Sequence, residues 1–155
     1  KTILMSEEKE ISKSDKLDIA FTTQRKEMSA YIKDNITIPM GSINNVAAIQ
    51  VHILSQRQLL VDKSNEMRAS IAKKNKSLGS ARKQKYRFYK LEYDIKLNDY
   101  EIKNHIEADL EDTYNVIKMI ENQITFYKET IETLDKSIWM IKYLIDTEKF
   151  KSGSF

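Results

Sequence analysis

The 155-residue chain contains no cysteine, one proline, three glycines and two histidines. Without cysteine there is no disulfide framework, no thiolate zinc site and no thiol nucleophile. His52 and His105 alone leave almost nothing from which to build a histidine metal or catalytic constellation. The shortage of Pro and Gly argues against sandwiches and barrels, which need turn residues about every ten positions. No apolar run approaches the ~20 residues that cross a bilayer, and the opening Lys1–Met5 is too short for the hydrophobic region of a signal peptide. What remains is an all-α composition, expected to be soluble and intracellular, with no membrane partner. No residue set suggests a reaction, so no enzymatic activity, metal or cofactor is expected.

Charge is abundant but unevenly placed. The net +3 conceals nine bases and nine acids in residues 1–66, nine bases and no acid in 67–90, then seven bases and fourteen acids in 91–150. A concentrated basic segment is followed by an acidic arm.

The chain divides into a flexible N-terminus plus short helix (1–40), a helical region with a basic face (41–105), a coiled-coil helix (106–150) and a tail (151–155). The stretch through about Glu10 is polar and expected to be flexible. Leu17, Ala20, Phe21, Met28, Tyr31 and Ile32 form one helical stripe, with Ser14 or Asp15 as cap. Pro39 and Gly41 end it, and Ser42 is the N-cap of the next helix. There Val46, Ile53, Leu60 and Met67 recur every seven residues with Ala47, Leu54 and Val61 beside them. Gly79 marks a break, a kink or nothing.

The strongest pattern steps by three and four through Ile106, Leu110, Thr113, Ile117, Ile120, Ile124, Tyr127, Ile131, Leu134, Ile138, Ile141 and Ile145. This is a heptad seam sustained for more than five repeats, with Leu110, Ile117, Ile124, Ile131, Ile138 and Ile145 at a. Forty residues make a rod of roughly 60 Å, long for a compact chain of this size. Two uses are open: a self-contained hairpin with the preceding helix, or a homo-oligomeric bundle or ring. The oligomer is favoured because Met119, Phe126 and Met140, with Trp139, Tyr143 and Leu144, add a second apolar stripe. The candidate oligomerisation residues are Leu110, Ile117, Ile120, Ile124, Tyr127, Ile131, Leu134, Ile138, Ile141 and Ile145.

In the basic segment Arg68, Lys73, Lys76, Arg82, Lys83, Arg87 and Lys90 share one half of a helix, with Lys74 and Lys85 outside it. Tyr86 lies among the cations, whereas Met67, Ile71, Leu78, Ala81, Phe88 and Tyr89 face the opposite side. An aromatic within an uncompensated positive face suits a single strand, the cations tracking phosphates and the ring stacking a base. An acidic protein surface, the chain's own acidic arm included, is the alternative partner, and plain solvation of the face is the third reading. The histidines read as a packing-edge residue (His52) and a solvated one (His105). Asp109 with Asp112, and Glu129 with Glu132, read as solubilising charges.

The C-terminal Ser137-Ile-Trp-Met-Ile-Lys-Tyr-Leu-Ile-Asp-Thr-Glu-Lys-Phe-Lys-Ser-Gly153 resembles the ending of the UvsY-type recombination mediators of large tailed bacteriophages, matching at Trp139, Ile141, Lys142, Ile145, Lys149, Phe150 and Gly153. Lys85-Tyr-Arg-Phe-Tyr-Lys90 is similar to that family's basic, aromatic-rich stretch, and Ile106-Glu-Ala-Asp109 to its Ser-Ala-Asp. The likeness covers roughly residues 50–153. It differs at Ser137, where Arg is common, and after the paired aromatics, where a Gly-containing loop is replaced by Lys90-Leu-Glu-Tyr93, expected to continue as helix. The resemblance implies a non-enzymatic ring, a hexamer or heptamer, in the host cytoplasm. Such a ring binds single-stranded DNA and loads a RecA-like recombinase onto strands coated by single-strand binding protein. The nucleic-acid-binding candidates are therefore Arg68, Lys73, Lys76, Arg82, Lys83, Lys85, Tyr86, Arg87 and Lys90. The competing expectation is a structural or chaperone-like coiled-coil subunit, from phage assembly or a secretion apparatus, whose basic helix meets an acidic protein.

Overall fold

The computed structural model describes residues 11–153; the stretch expected to be flexible, through Glu10, and the last two residues of the tail lie outside them. Four helices carry the fold: α1 (Lys13–Ile32), α2 (Val46–Leu91), α3 (Asp99–Asp109) and α4 (Glu111–Ser152). Among the described residues there is no strand, so the chain is all-α.

Ser12 opens α1, its hydroxyl accepting from the Asp15 N–H at 3.1 Å. Neither Ser14 nor Asp15 serves as the cap. Ser14 is buried instead, and its hydroxyl donates to Asp112 Oδ1 at 2.6 Å, fixing the start of α1 on α4. After Ile32 the backbone loosens into a π turn, Lys33–Thr37, whose Ile36 is fully buried, and then two short 3₁₀ turns. Pro39 begins the first of these and Ser42 caps the second. From Val46 the chain runs as one helix for 46 residues, about 69 Å at the usual rise. Gly79 does not break it.

α2 and α4 pack antiparallel, with Arg57 opposite Asp135 at one level and Ser70 and Lys74 near Thr113 and Val116 at another. Ile49, Ile53 and Leu60 of α2 meet Tyr127, Leu134 and Ile141 of α4, all at most 3% exposed. α1 runs parallel to α4 and closes its other flank through Phe21 and Arg25, whose guanidinium donates to the fully buried Gln123 at 2.9 Å. Tyr31 reaches across to His52 Nδ1 at 2.7 Å, the packing edge expected for that histidine. The heptad Val46, Ile53, Leu60 and Met67 faces the core as expected, and Ile49 and Ser64 complete its stripe in place of Ala47 and Leu54, which face outward.

The seam from Ile106 to Ile145 is used within the chain. Its d positions Ile120, Tyr127, Leu134 and Ile141 are buried, whereas Ile124, Ile131 and Ile145 are half-buried and Ile138 is 37% exposed. The seam is also not one rod. Leu110, at φ −105° and ψ 8°, separates α3 from α4. Periodicity hides that kink because Ile106, Leu110 and Ile117 remain in one cluster with Leu78, Tyr89 and Ile102.

This register sets a stability test. Leu134→Ala is expected to cost about 2–5 kcal/mol in urea unfolding, and Ile138→Ala no more than about 1 kcal/mol. Equal losses would show that α4 presents a different face to α2.

Candidate nucleic-acid interface

The acid-free part of α2 runs beside the first turns of α4 and then past its N-terminal end, where α3 covers it. An Asn98–Glu101 capping box starts α3: Asn98 Oδ1 accepts from the Glu101 N–H at 2.9 Å, and Glu101 Oε2 from the Asn98 N–H at 2.8 Å. α2 itself ends at Leu91, so the expected helix through Tyr93 is replaced by a loop over residues 92–98. Both ends of α3 are pinned to α2. Asp99 accepts from Lys90 Nζ at 2.9 Å and from the Tyr86 hydroxyl at 3.3 Å. Asp109 accepts from the Tyr89 hydroxyl at 2.6 Å and lies 3.1 Å from Lys85 Nζ.

These bonds sort the nine candidate residues. Lys85 and Lys90, expected to meet a strand, are ion-paired to acids of α3, because the turn after Leu91 brings an acidic helix back over them. Arg82 is exposed, but its guanidinium lies 5.4 Å above the Tyr114 ring. Arg68, Lys73, Lys76, Lys83 and Arg87 are exposed and have no ion pair among the described residues. At 100° per residue Lys73, Lys76, Lys83 and Arg87 fall in an arc of about 80° pointing away from the buried stripe, and they span about 21 Å. Arg68 and Tyr86 sit on its flank.

Phe88 is not in the core as expected. It is 40% exposed and packs edge-on to Tyr89 and Tyr93, with ring centroids 5.2 and 5.9 Å apart. His105 stacks on Tyr89 at 5.1 Å. Asp109 and Asp112, read as solubilising charges, instead organise contacts, the first with Tyr89 and Lys85 and the second with Ser14.

The electrostatics follow these contacts. The hydrogen bond from Lys90, then its charge and the Tyr86 hydroxyl, hold the Asp99 carboxyl below its ordinary range. Asp109 is lowered first by the Tyr89 hydroxyl and then by Lys85. Tyr89 is correspondingly pushed up to about 12 by donating to Asp109 and by burial. Both carboxylates are therefore ionised beside the cations, leaving the outer row as the uncompensated charge.

Between α2 and α3 lies an open cleft of about 490 Å³. Arg82, Lys83 and Tyr86 line it from α2, and Asp99, Lys103, Ile106 and Glu107 from α3. Lys103 and Glu107 were not foreseen as site residues. The signal that could have found them was the Asn98-x-x-Glu101 box, which marks a helix start inside what the heptads present as continuous. No group of three or more His, Cys, Asp or Glu among the described residues is placed to hold a metal ion. Comparison with protein-family models, with curated proteins and with solved structures finds no match for this chain.

The Tyr89–Asp109 bond gives a pH signature. A folded-state pKa raised above the ordinary tyrosine value of about 10 contributes stability below that pH, and the contribution is lost as pH rises toward 12. Tyr89→Phe is expected to be less stable than wild type at pH 7, by about 1.5–3 kcal/mol for a hydrogen bond to a charged group. The gap should narrow as unfolding is measured from pH 10 to pH 12. A gap constant across that range would show that the hydroxyl does not donate to Asp109.

Proposed function

We propose that this chain is a single-stranded-DNA-binding recombination mediator of the bacteriophage kind, a homo-oligomer acting in the host cytoplasm. In that role it loads a RecA-like recombinase onto strands coated by single-strand binding protein. The observation that carries the reading is the outward row Lys73, Lys76, Lys83 and Arg87, which no carboxylate compensates within the described residues. Four cations over about 21 Å track a flexible polyanion, and counterion release makes such a contact favourable and sequence-tolerant. The resemblance through Lys85–Lys90 and Ser137–Gly153 supports the same assignment. One helix with a few phosphate contacts binds weakly, so assembly of several copies supplies avidity.

Subunit contacts in this reading fall outside the buried d positions. Trp139 and Tyr143, one turn apart on the outer face of α4, are 70% and 68% exposed, and Met140 is 52% exposed. Such a patch is what an oligomer covers. Light scattering is expected to show a multimer that Trp139→Ala with Tyr143→Ala dissociates while helicity by circular dichroism at 25 °C is retained. A monomeric wild type would overturn the assembly.

A second reading, a structural subunit whose basic helix docks on an acidic protein, is favoured by one observation: Lys85 and Lys90 already hold carboxylates of α3. Fluorescence anisotropy with unrelated single-stranded oligonucleotides separates the two. Binding should weaken steeply with salt, and the double variant Lys83→Ala, Arg87→Ala should reduce the log–log salt slope by about 1.4, at ~0.7 per phosphate on a single strand. Lys85→Ala, whose charge faces Asp109, should change it little. Binding at low salt no better than that of a neutral control protein would sink the mediator reading and leave the structural one.

A further inference from the structure

We infer that the cleft between α2 and α3 is a nucleobase pocket that takes a base of the bound strand and favours cytosine, with its exocyclic amine, over thymine. The inference rests on the single-strand reading above and adds to it a site for the base. The cleft, about 490 Å³, falls in the size range of small-molecule sites. One wall is the Tyr86 ring, 44% exposed and held by its hydroxyl bond to Asp99. Ile106, 8% exposed, supplies apolar surface, and the methylene stems of Arg82, Lys83 and Lys103 complete the sides. A partly exposed ring tethered by its hydroxyl is a stacking platform that needs little ordering on binding. Lys83 belongs both to the outward row and to the cleft lining. A strand tracked by that row therefore passes the mouth of the cleft.

The two carboxylates in the lining are what set the base. Asp99 and Glu107 oppose a phosphate and suit an N–H donor. Lys90 and Tyr86 occupy Asp99 Oδ1, while Oδ2 has no hydrogen bond among the described residues. The ion-pair partner of Glu107 is Lys103 at 3.9 Å, beyond hydrogen-bond distance, so its oxygens also lack a donor there. Cytosine offers its N4 amino group to such an acceptor, whereas thymine places the O4 acceptor at the same position. Thymine also carries a C5 methyl and an N3–H donor where cytosine has an acceptor, so the preference is assigned to the carboxylates by removing them.

The test compares equal-length oligonucleotides of deoxycytidine, of thymidine and of abasic sugar-phosphate, by anisotropy at one salt concentration and then across a salt series. The deoxycytidine strand is expected to bind about tenfold tighter than the thymidine strand. The abasic strand should be weakest, with a similar salt slope. Glu107→Gln, at an exposed position without a hydrogen bond, should lower the ratio of the two pyrimidine strands, and Glu107→Gln combined with Asp99→Asn should bring it close to one. Abasic and deoxycytidine strands binding alike would overturn the pocket while leaving strand binding by phosphates intact. Equal binding of the two pyrimidine strands, or a ratio untouched by the double variant, would overturn the amine preference. No binding of any strand would instead overturn the single-strand reading itself.

Discussion

The apolar stripe along α4 is the constraint from which the rest follows. A helix of 42 residues with Ile120, Tyr127, Leu134 and Ile141 on one side cannot leave that side in water, since each such side chain is worth about 1.5–3 kcal/mol when buried. α2 supplies most of the cover and is long for that reason. α1 supplies the remainder, and the turns between α1 and α2 sink Ile36 into the same cluster. Polar contacts between these helices decide placement more than energy. Arg57 and Asp135, both more than 40% exposed, form the kind of pair that contributes at most about 1 kcal/mol. The Ser14–Asp112 and Arg25–Gln123 bonds fix where α1 sits along α4.

Because α2 outruns α4, its far end needs another partner, and this need explains α3. The acid-free stretch of α2 would carry only repulsion on both sides if left alone. α3 brings Asp99 and Asp109 to its two flanks and Ile102 and Ile106 to its apolar side. Neutralisation is thus local and partial. Lys85 and Lys90 are answered from within the chain, and the outward row is not.

Much of this was legible in the residues. The all-α class follows from one Pro and three Gly, and the α4 stripe from its spacing. The basic face of α2 was also readable, since acids are absent from 67 to 90. Three things were not. The kink at Leu110 is invisible to periodicity, because apolar residues at the right spacing on both sides of it still join one cluster. The pairing of Lys85 and Lys90 depends on a chain reversal at residues 92–98, which sets acids distant in sequence against them. The exposure of Phe88 depends on which of two adjacent aromatics the helix turns inward. Tyr89 wins that place with a hydroxyl that reaches Asp109, an option phenylalanine lacks.

The continuity of α2 has a mechanical side. One helix is shared by two hydrophobic clusters: residues 46–67 belong to the first and residues 78–89 to the second. Neither cluster can turn against the other without bending that shaft. Gly79 lies where the second cluster begins, and a Cβ there would meet nothing within 4 Å, so tight packing does not require the glycine. It leaves a helix whose local propensity is lower by about 1 kcal/mol than an alanine would give. From Gly79 to Leu91 is a lever of about 18 Å, so a bend of ~10° at its base carries the tip, with α3 attached, through about 3 Å. The outward cations straddle that point, Lys73 and Lys76 before it and Lys83 and Arg87 beyond, so the spacing of the charged row is coupled to the curvature of a single helix.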